Sequence, residues 1–170
     1  NSRLSVIAFD NEIVLISDLK FMNEFNKNDT INKIDSIKPR YQTNIWGGIE
    51  KAISILDSRD DKSRNSAILM FTDGSPNISP ARGEVETLKK LRIKKNFTAP
   101  IYTFGFGYNL QKNLLYNIAK YANGGNGHIP DGGMIATVFC NFIGTILCTV
   151  VNNLQIHFEN KEISLMGDFA

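Results

Sequence analysis

One uninterrupted apolar run constrains the fold of this chain more than any other feature. Residues 66–72 lead straight into Asp73, and the turn-forming residues 74–77 follow. An apolar run of this length without polar alternation is typical of a strand buried on both faces, as in parallel sheets covered by helices. Asp73 is therefore expected just beyond the carboxyl end of a buried strand, at the edge where α/β sheets bind ligands.

Strand and helix patterns alternate along most of the chain, which calls for a mostly parallel sheet wrapped by helices. The predicted fold is an α/β three-layer αβα sandwich with a doubly wound sheet. The predicted strands are 4–9 and 13–16, which form a β-hairpin, then 66–72, 100–104 and 128–130. The predicted helices are 29–37, 45–56, 85–95, 110–121 and 138–150.

The second predicted helix begins with capping residues, but its first turn contains residues of low helix propensity. Thr43 and Asn44 precede the first apolar residue of the helix and supply side-chain acceptors for an N-cap. Gly47 and Gly48 then lower the helix propensity of the first turn. Because glycine is unfavourable in a helix, these two glycines predict that another part of the chain approaches the helix backbone closely there.

Composition and charge limit the class of partner. With 170 residues and 42% hydrophobic content, the chain can bury one substantial core and is expected to be a single domain. The net charge of +2 is too balanced for a nucleic-acid partner, and the basic end of helix 85–95 is interpreted as a solvated face. No apolar run reaches membrane-spanning length, so we expect no membrane insertion.

The cysteines bear on the cellular compartment. Cys140 and Cys148 fall in one predicted helix, about 12 Å apart along its axis, so they cannot pair with each other. Unpaired thiols on an apolar face favour a reducing, cytoplasmic location. Asn-x-Ser/Thr triplets at Asn28, Asn77 and Asn96 point the other way. They carry little weight, because a sequence this rich in these residues contains about two such triplets by chance.

Four segments in order, 3–9, 43–49, 68–75 and 101–107, resemble the von Willebrand factor type A domain. The resemblance covers residues 1–151 and is nearest to intracellular members that accompany the RING or U-box modules of ubiquitin ligases. It implies that this span lacks the N-terminal strand and helix of the family, because no Asp-x-Ser-x-Ser run is present. Residues 152–170 are predicted to begin a following antiparallel β module or to add a further strand.

The resemblance also implies a site. In this family a divalent ion, usually Mg²⁺, occupies a metal-ion-dependent adhesion site and leaves one position for an acidic residue of a partner protein. The implied metal ligands are Thr43 and Asp73, and Mg²⁺ is expected only in a domain that has the Asp-x-Ser-x-Ser run; this chain alone should not bind it tightly. The implied partner-binding rim consists of Asn44, Gly74, Ser75, Pro76, Asn77, Tyr108 and Asn109.

The leading functional interpretation is a non-catalytic protein–protein interaction module whose partner is another protein of unknown identity. One alternative is an extracellular adhesion-type A domain with the same fold. A less favoured alternative is a phosphoryl-transfer enzyme that uses Asp73 as nucleophile or metal ligand, although no phosphate-binding lysine loop or paired base accompanies this acid. The simplest alternative for residues 73–75 is a turn with an acid that caps a helix.

Overall fold

The computed structural model describes residues 2–40, 42–108 and 110–148. Asn109 of the predicted rim and the predicted module 152–170 lie outside the described residues. A short 3-10 turn, Gly132–Met134, leads into the last helix. The elements are, in order, β1 Arg3–Phe9, β2 Ile13–Phe21, α1 Glu24–Asp35, α2 Ile45–Asp57, β3 Ile68–Thr72, α3 Glu84–Lys95, β4 Ile101–Phe106, α4 Lys112–Tyr121, β5 Asn126–Ile129 and α5 Ile135–Cys148.

Within the described ranges, the strands form two sheets that do not pair with each other. β1 and β2 form the predicted antiparallel hairpin. β3, β4 and β5 form a parallel sheet in that order, in which Ile68 pairs with Ile101 and Thr103 pairs with Asn126. Parallel strands place their carboxyl ends at one edge, so the residues after β3, β4 and β5 meet at the same end of the molecule.

Helices cover both faces of the parallel sheet and create two apolar clusters. The larger cluster joins α2, α3 and α4 to one face, and Ile49, Leu88 and Ile118 are at most 1% exposed within it. The smaller cluster joins α5 to the other face through Phe104, Ile129 and the half-buried Phe142. The three-layer α/β architecture predicted from the alternation is confirmed.

The glycines of α2 mark where the hairpin approaches the helix. A Cβ atom added to Gly47 would lie 2.7 Å from Cδ1 of Ile13, and one added to Gly48 would lie 2.9 Å from Cδ1 of Phe9. Both distances are shorter than real Cβ contacts allow, so the hairpin can pack this closely only against glycine. The predicted close approach is confirmed, and it fixes the hairpin against the start of α2.

The structure corrects two predictions about where elements begin and what they bury. β3 is not buried on both faces, because Phe71 is 40% exposed, although its ring stacks on that of Phe104 at 4.8 Å. β3 is an edge strand within the described residues. The ring of Phe71 lies 5.8 Å from that of Phe139 of α5, and this contact leaves Phe71 partly exposed. The first helix begins at Glu24 rather than 29 because Asn23 caps it, accepting a hydrogen bond from the Asn26 N–H at 2.8 Å.

Helix α5 carries the last corrected prediction. Cys140 and Cys148 lie on this one helix and are free, as predicted, but both are exposed rather than on its apolar face. The cytoplasmic location, which rests on these thiols being unpaired, stays a prediction. In the part of the chain that the structure describes, no helix is both long and apolar enough to cross a membrane.

Candidate functional site

The carboxyl end of the parallel sheet, called the top edge here, is formed by the residues that follow β3 and β4 and by the start of α2. Asp73 follows β3 directly and is exposed. Gly107 and Tyr108 follow β4, and Tyr108 is 75% exposed. The sequence therefore places a carboxylate and an aromatic ring at neighbouring strand ends, as the alternation predicts.

Two loops of the top edge are joined by reciprocal hydrogen bonds. The backbone N–H of Thr43 donates to Oδ1 of Asn77 at 2.8 Å, and the backbone N–H of Asn77 donates to the carbonyl oxygen of Thr43 at 3.2 Å. Thr43 precedes α2 and Asn77 belongs to the loop after β3. The structure thus brings together two residues that are 34 positions apart in the sequence.

Gly74 brings the loop after β3 close to the hydroxyl of Thr43. A Cβ atom added to Gly74 would lie 3.2 Å from Oγ1 of Thr43. Gly74 is held in a local turn, because its N–H donates to Oγ1 of Thr72 at 3.3 Å and its carbonyl accepts from that hydroxyl at 3.2 Å. Asp73 lies inside this turn, next to the residue that faces Thr43.

Asn44 of the predicted rim has a defined structural role. Its Oδ1 accepts a hydrogen bond from the Gly47 N–H at 2.8 Å, which makes it the N-cap of α2. Its own N–H donates to the carbonyl oxygen of Asp10 at 3.0 Å. Asn44 therefore ties the hairpin turn to the helix start, and its side chain is engaged in capping.

The other rim residues fall at the same edge. Ser75 is exposed and Pro76 is half-buried in the loop that contains Asn77. The ring of Tyr108 stands edge-on to that of His128 at 6.0 Å, and Nε2 of His128 lies 2.7 Å from the carbonyl oxygen of Gly107. His128 was not predicted at this edge, and its position depends on β5 pairing with β4, which sequence spacing does not reveal.

Sequence reasoning also missed an ion-pair cluster beside Thr43. Arg40 contacts Asp10 at 3.2 Å and Glu12 at 3.0 Å, and both acids belong to the hairpin turn. In the sequence, Asp10 and Glu12 carry only a turn signal. These acids reach the top edge only because the hairpin packs on α2. The glycine pair in α2 is the sequence feature that could have indicated this packing.

The donor set decides what the top edge can bind. Thr43 and Asp73 supply one hydroxyl and one carboxylate, which are hard oxygen donors suited to Mg²⁺. Among the residues that the structure describes, no group of three or more His, Cys, Asp or Glu side chains could hold a metal ion. A cation that requires about six oxygen ligands is not held by two protein donors, so the described residues alone do not fit a resident metal.

Comparison with known proteins identifies the domain. The family model of the von Willebrand factor type A domain matches residues 1–131, which is more than half of the 170 residues. The chain belongs to the von Willebrand factor type A domain family. The predicted resemblance to this family is thereby confirmed, whereas the nearer placement among RING- or U-box-associated members stays a prediction.

The curated relatives that this chain matches are much longer than the chain. Inter-alpha-trypsin inhibitor heavy chain H3 from Homo sapiens is 31% identical over 96 residues, a region that covers 54% of this chain. The same region covers 11% of the human protein, so the von Willebrand factor type A domain described here corresponds to about a tenth of that relative.

Solved structures of the family share the fold at low identity. The von Willebrand factor type A protein from Catenulispora acidiphila has a TM-score of 0.68 and 16% identity, over 85% of this chain and 33% of that chain. Proximal thread matrix protein 1 from the mussel byssus has a TM-score of 0.64 and 20% identity, over 84% of this chain and 34% of that chain. In that structure zinc occupies the metal-ion-dependent adhesion site (MIDAS) motif. These identities support the fold alone, and the zinc belongs to the mussel protein.

Proposed function

We propose that this von Willebrand factor type A domain is a non-catalytic module that binds another protein through its top edge. The observation that carries the proposal is the reciprocal hydrogen bonding of Thr43 and Asn77, which joins the loop before α2 to the loop after β3. Loops fixed on a rigid sheet are the usual carriers of recognition. The side chains of Asp73, Ser75 and Tyr108 are exposed at this edge and are available to a partner.

We further propose that recognition depends on a divalent metal when an Asp-x-Ser-x-Ser segment supplies the missing ligands. Thr43 and Asp73 would hold the ion together with that segment, and a bound cation with an open position attracts a carboxylate of the partner. This chain alone is expected to bind Mg²⁺ weakly, because two donors do not offset the cost of removing water from so strongly hydrated an ion.

Calorimetry tests this proposal on two proteins, the chain as it stands and a version extended by an Asp-x-Ser-x-Ser strand. The extended protein should bind Mg²⁺, and a short glutamate-containing peptide should bind only when Mg²⁺ is present. Thr43→Ala and Asp73→Ala should each remove both signals. Asp60→Ala is the matched control, because Asp60 is an exposed carboxylate in the loop after α2, at the amino end of the sheet.

Two results would contradict the proposal. Tight Mg²⁺ binding by the unextended chain would show that the donor set is larger than Thr43 and Asp73. Peptide binding that survives chelation of the metal and both substitutions would place recognition elsewhere. Turnover of a phosphoester that disappears in Asp73→Asn would instead support the phosphoryl-transfer alternative.

The similarity to heavy chain H3 supports a second proposal, which concerns the larger protein that contains this domain. We propose that the domain belongs to a larger protein of the inter-alpha-trypsin inhibitor heavy chain type, on the strength of 31% identity over 96 residues. Determining the residues that flank this chain in its transcript tests the idea. Flanking sequence that matches the heavy chains would support it, and a RING or U-box module would support the intracellular setting instead.

A further inference from the structure

Three asparagine residues stand in Asn-x-Ser/Thr triplets, the acceptor motif of N-linked glycosylation, and the structure distinguishes between them. The triplets are residues 28–30, 77–79 and 96–98. Composition alone accounts for about two such triplets, so the sequence does not say which of them can carry a glycan. An acceptor site needs an exposed asparagine amide and an accessible hydroxyl two residues later, in a surface segment that tolerates a bulky group.

Asn28 lies inside helix α1 and does not meet these requirements. Its side chain is exposed, but Thr30 is only 3% exposed, and the Thr30 hydroxyl donates to the carbonyl oxygen of Asn26 at 2.7 Å. The same hydroxyl lies 3.4 Å from that of Ser17 on β2. The triplet is therefore enclosed where α1 packs on the hairpin, and α1 would have to unfold to present it to a transferase.

Asn77 belongs to the top edge, and both polar groups of its triplet are already engaged. Its Oδ1 accepts the hydrogen bond from the Thr43 N–H, and the hydroxyl of Ser79 donates to the carboxylate of Glu84. Glu84 is 5% exposed, so Ser79 supplies a hydrogen bond that a buried carboxylate needs. A glycan on Asn77 would also cover the surface that is proposed to bind a partner.

Asn96, directly after α3, meets each requirement. Asn96 and Thr98 are both exposed, and neither side chain makes a hydrogen bond with any residue that the structure describes. Between them, Phe97 packs against the larger apolar cluster, and the guanidinium of Arg92 lies 5.8 Å from the centre of its ring. The middle residue therefore anchors the segment, while the two residues that define the motif remain accessible to solvent.

The ordinary explanation for asparagine at this position is the helix end itself. Asn96 has a left-handed backbone, with φ 47° and ψ 43°, and asparagine tolerates this conformation better than most other residues do. Its backbone N–H fulfils the capping role by donating to the carbonyl oxygen of Ile93 at 3.3 Å. Capping uses neither the Asn96 amide group nor the hydroxyl of Thr98, so it explains only part of the triplet.

We propose that Asn96 is an N-linked glycosylation site. In the transfer step, Nδ2 of Asn96 forms a bond to C1 of the first sugar of a lipid-diphosphate-linked oligosaccharide. The bond between C1 and the diphosphate oxygen breaks, the lipid diphosphate leaves with the electron pair, and the amide nitrogen loses one proton. The proposal rests on the extracellular alternative for this domain, because the motif is an acceptor only in proteins that enter the secretory pathway.

The position of Asn96 keeps a glycan away from the top edge. α3 connects the end of β3 to the start of β4, and these strands are parallel, so the C-terminus of α3 lies at the amino end of the sheet. A glycan there leaves Asp73, Ser75 and Tyr108 accessible at the opposite end. Glycosylation at Asn96 and partner binding at the top edge are therefore compatible in one molecule.

The test expresses the full chain behind a cleavable signal peptide in cultured animal cells and analyses both the retained and the secreted protein. Peptide-N-glycosidase F converts each glycan-bearing asparagine to aspartate, so peptide mapping in heavy-oxygen water identifies the occupied position. We expect the glycan on Asn96 and loss of the gel mobility shift in Asn96→Asp. Asn28→Asp and Asn77→Asp are the matched controls, because each removes one triplet and adds the same charge, and both should keep the shift.

Two substitutions of Thr98 test the motif without altering Asn96 or its left-handed turn. Thr98→Ala should remove the mobility shift, and Thr98→Ser, which keeps a hydroxyl, should retain it. The proposal is overturned if Asn96 is unoccupied, if Asn28 or Asn77 carries the glycan in its place, or if Thr98→Ala retains the shift.

Protein purified from its natural source provides the second measurement. A glycan on Asn96 there would support the proposal, and an unmodified Asn96 would overturn it and favour the cytoplasmic location. Magnesium and peptide binding at the top edge are measured on the unglycosylated domain, so their outcome decides the proposed function independently of Asn96.

Discussion

Thr43 and Asn77 exchange hydrogen bonds, the N–H of Thr43 donating to the side-chain oxygen of Asn77 at 2.8 Å and the N–H of Asn77 donating to the carbonyl of Thr43 at 3.2 Å. One bond depends on the Asn77 side chain and the other does not. The pair therefore allows the side-chain contribution to the top edge to be separated from that of the backbone.

Replacing Asn77 with alanine should loosen the top edge without unfolding the domain. The substitution removes the acceptor of the Thr43 N–H, and the loss of one exposed hydrogen bond should lower the free energy of unfolding by about 0.5–1.5 kcal/mol. Urea denaturation measures this change, and amide exchange at Thr43 should become faster. Ser75→Ala, in the same exposed loop, should change neither quantity. Equal effects of the two substitutions would contradict the assignment.

Two glycine substitutions should differ in their effect on stability. Gly48→Ala places a Cβ 2.9 Å from Cδ1 of Phe9, and overpacking of this kind costs about 1–3 kcal/mol. Because alanine gains about 1 kcal/mol in helix propensity, the free energy of unfolding should stay the same or fall. Gly144→Ala meets no atom within 4 Å inside α5 and should stabilise the domain by about 0.5–1 kcal/mol. Thermal denaturation of both variants checks the contrast, and a Gly48→Ala protein as stable as Gly144→Ala would refute it.

The start of α2 and the strand β3 show how much of the structure can be predicted from the sequence. The glycine pair in α2 and the polar residues before it predict a capped helix that something approaches, because propensity and capping act over a few residues. Which element approaches is a tertiary property, so neither Phe9 nor the cluster of Asp10 and Arg40 beside Thr43 could be predicted. Burial of Phe71 was predicted wrongly for the same reason: the apolar run gives the strand, but its exposure depends on how far α5 extends over it.

Asp29 should make the stability of the domain sensitive to acid. It accepts from Lys20 of β2 at 2.6 Å and from Lys33 of α1 at 3.0 Å. The hydrogen bond from Lys20, and after it the one from Lys33, holds the pKa of Asp29 below its ordinary value of 3.8. The unfolded chain then binds the proton more readily, so the stabilisation is complete above the ordinary pKa and is lost as the pH falls below it.

Asp29→Asn removes the titrating group and tests this acid sensitivity. The free energy of unfolding of the variant should fall less steeply with acid than that of the wild type over the carboxylate range. Because the three side chains are partly exposed, salt should screen the interaction and reduce the difference between the two proteins. Identical pH profiles at low salt would show that the hairpin and α1 are not coupled through this carboxylate.

The amides of β3 should exchange at two rates. The N–H of Ile68 donates to the carbonyl of Pro100, so the alternation of a strand turns the N–H groups of Ile68 and Met70 toward β4. The N–H groups of Leu69 and Phe71 then point to the opposite edge, where no strand pairs with β3 within the described residues. β4 pairs on both sides, so its amides should be the most protected of the sheet.

Hydrogen exchange followed by NMR resolves these positions individually. Leu69 and Phe71 should exchange at least about tenfold faster than Met70, because an opening that breaks no hydrogen bond costs less free energy than one that breaks a ladder bond. The extended protein with an Asp-x-Ser-x-Ser strand provides the comparison, since a strand added at this edge would slow Leu69 and Phe71 while leaving Met70 unchanged. Uniform protection along β3 in the unextended chain would mean that this edge is already paired, and the description of β3 as an edge strand would be wrong.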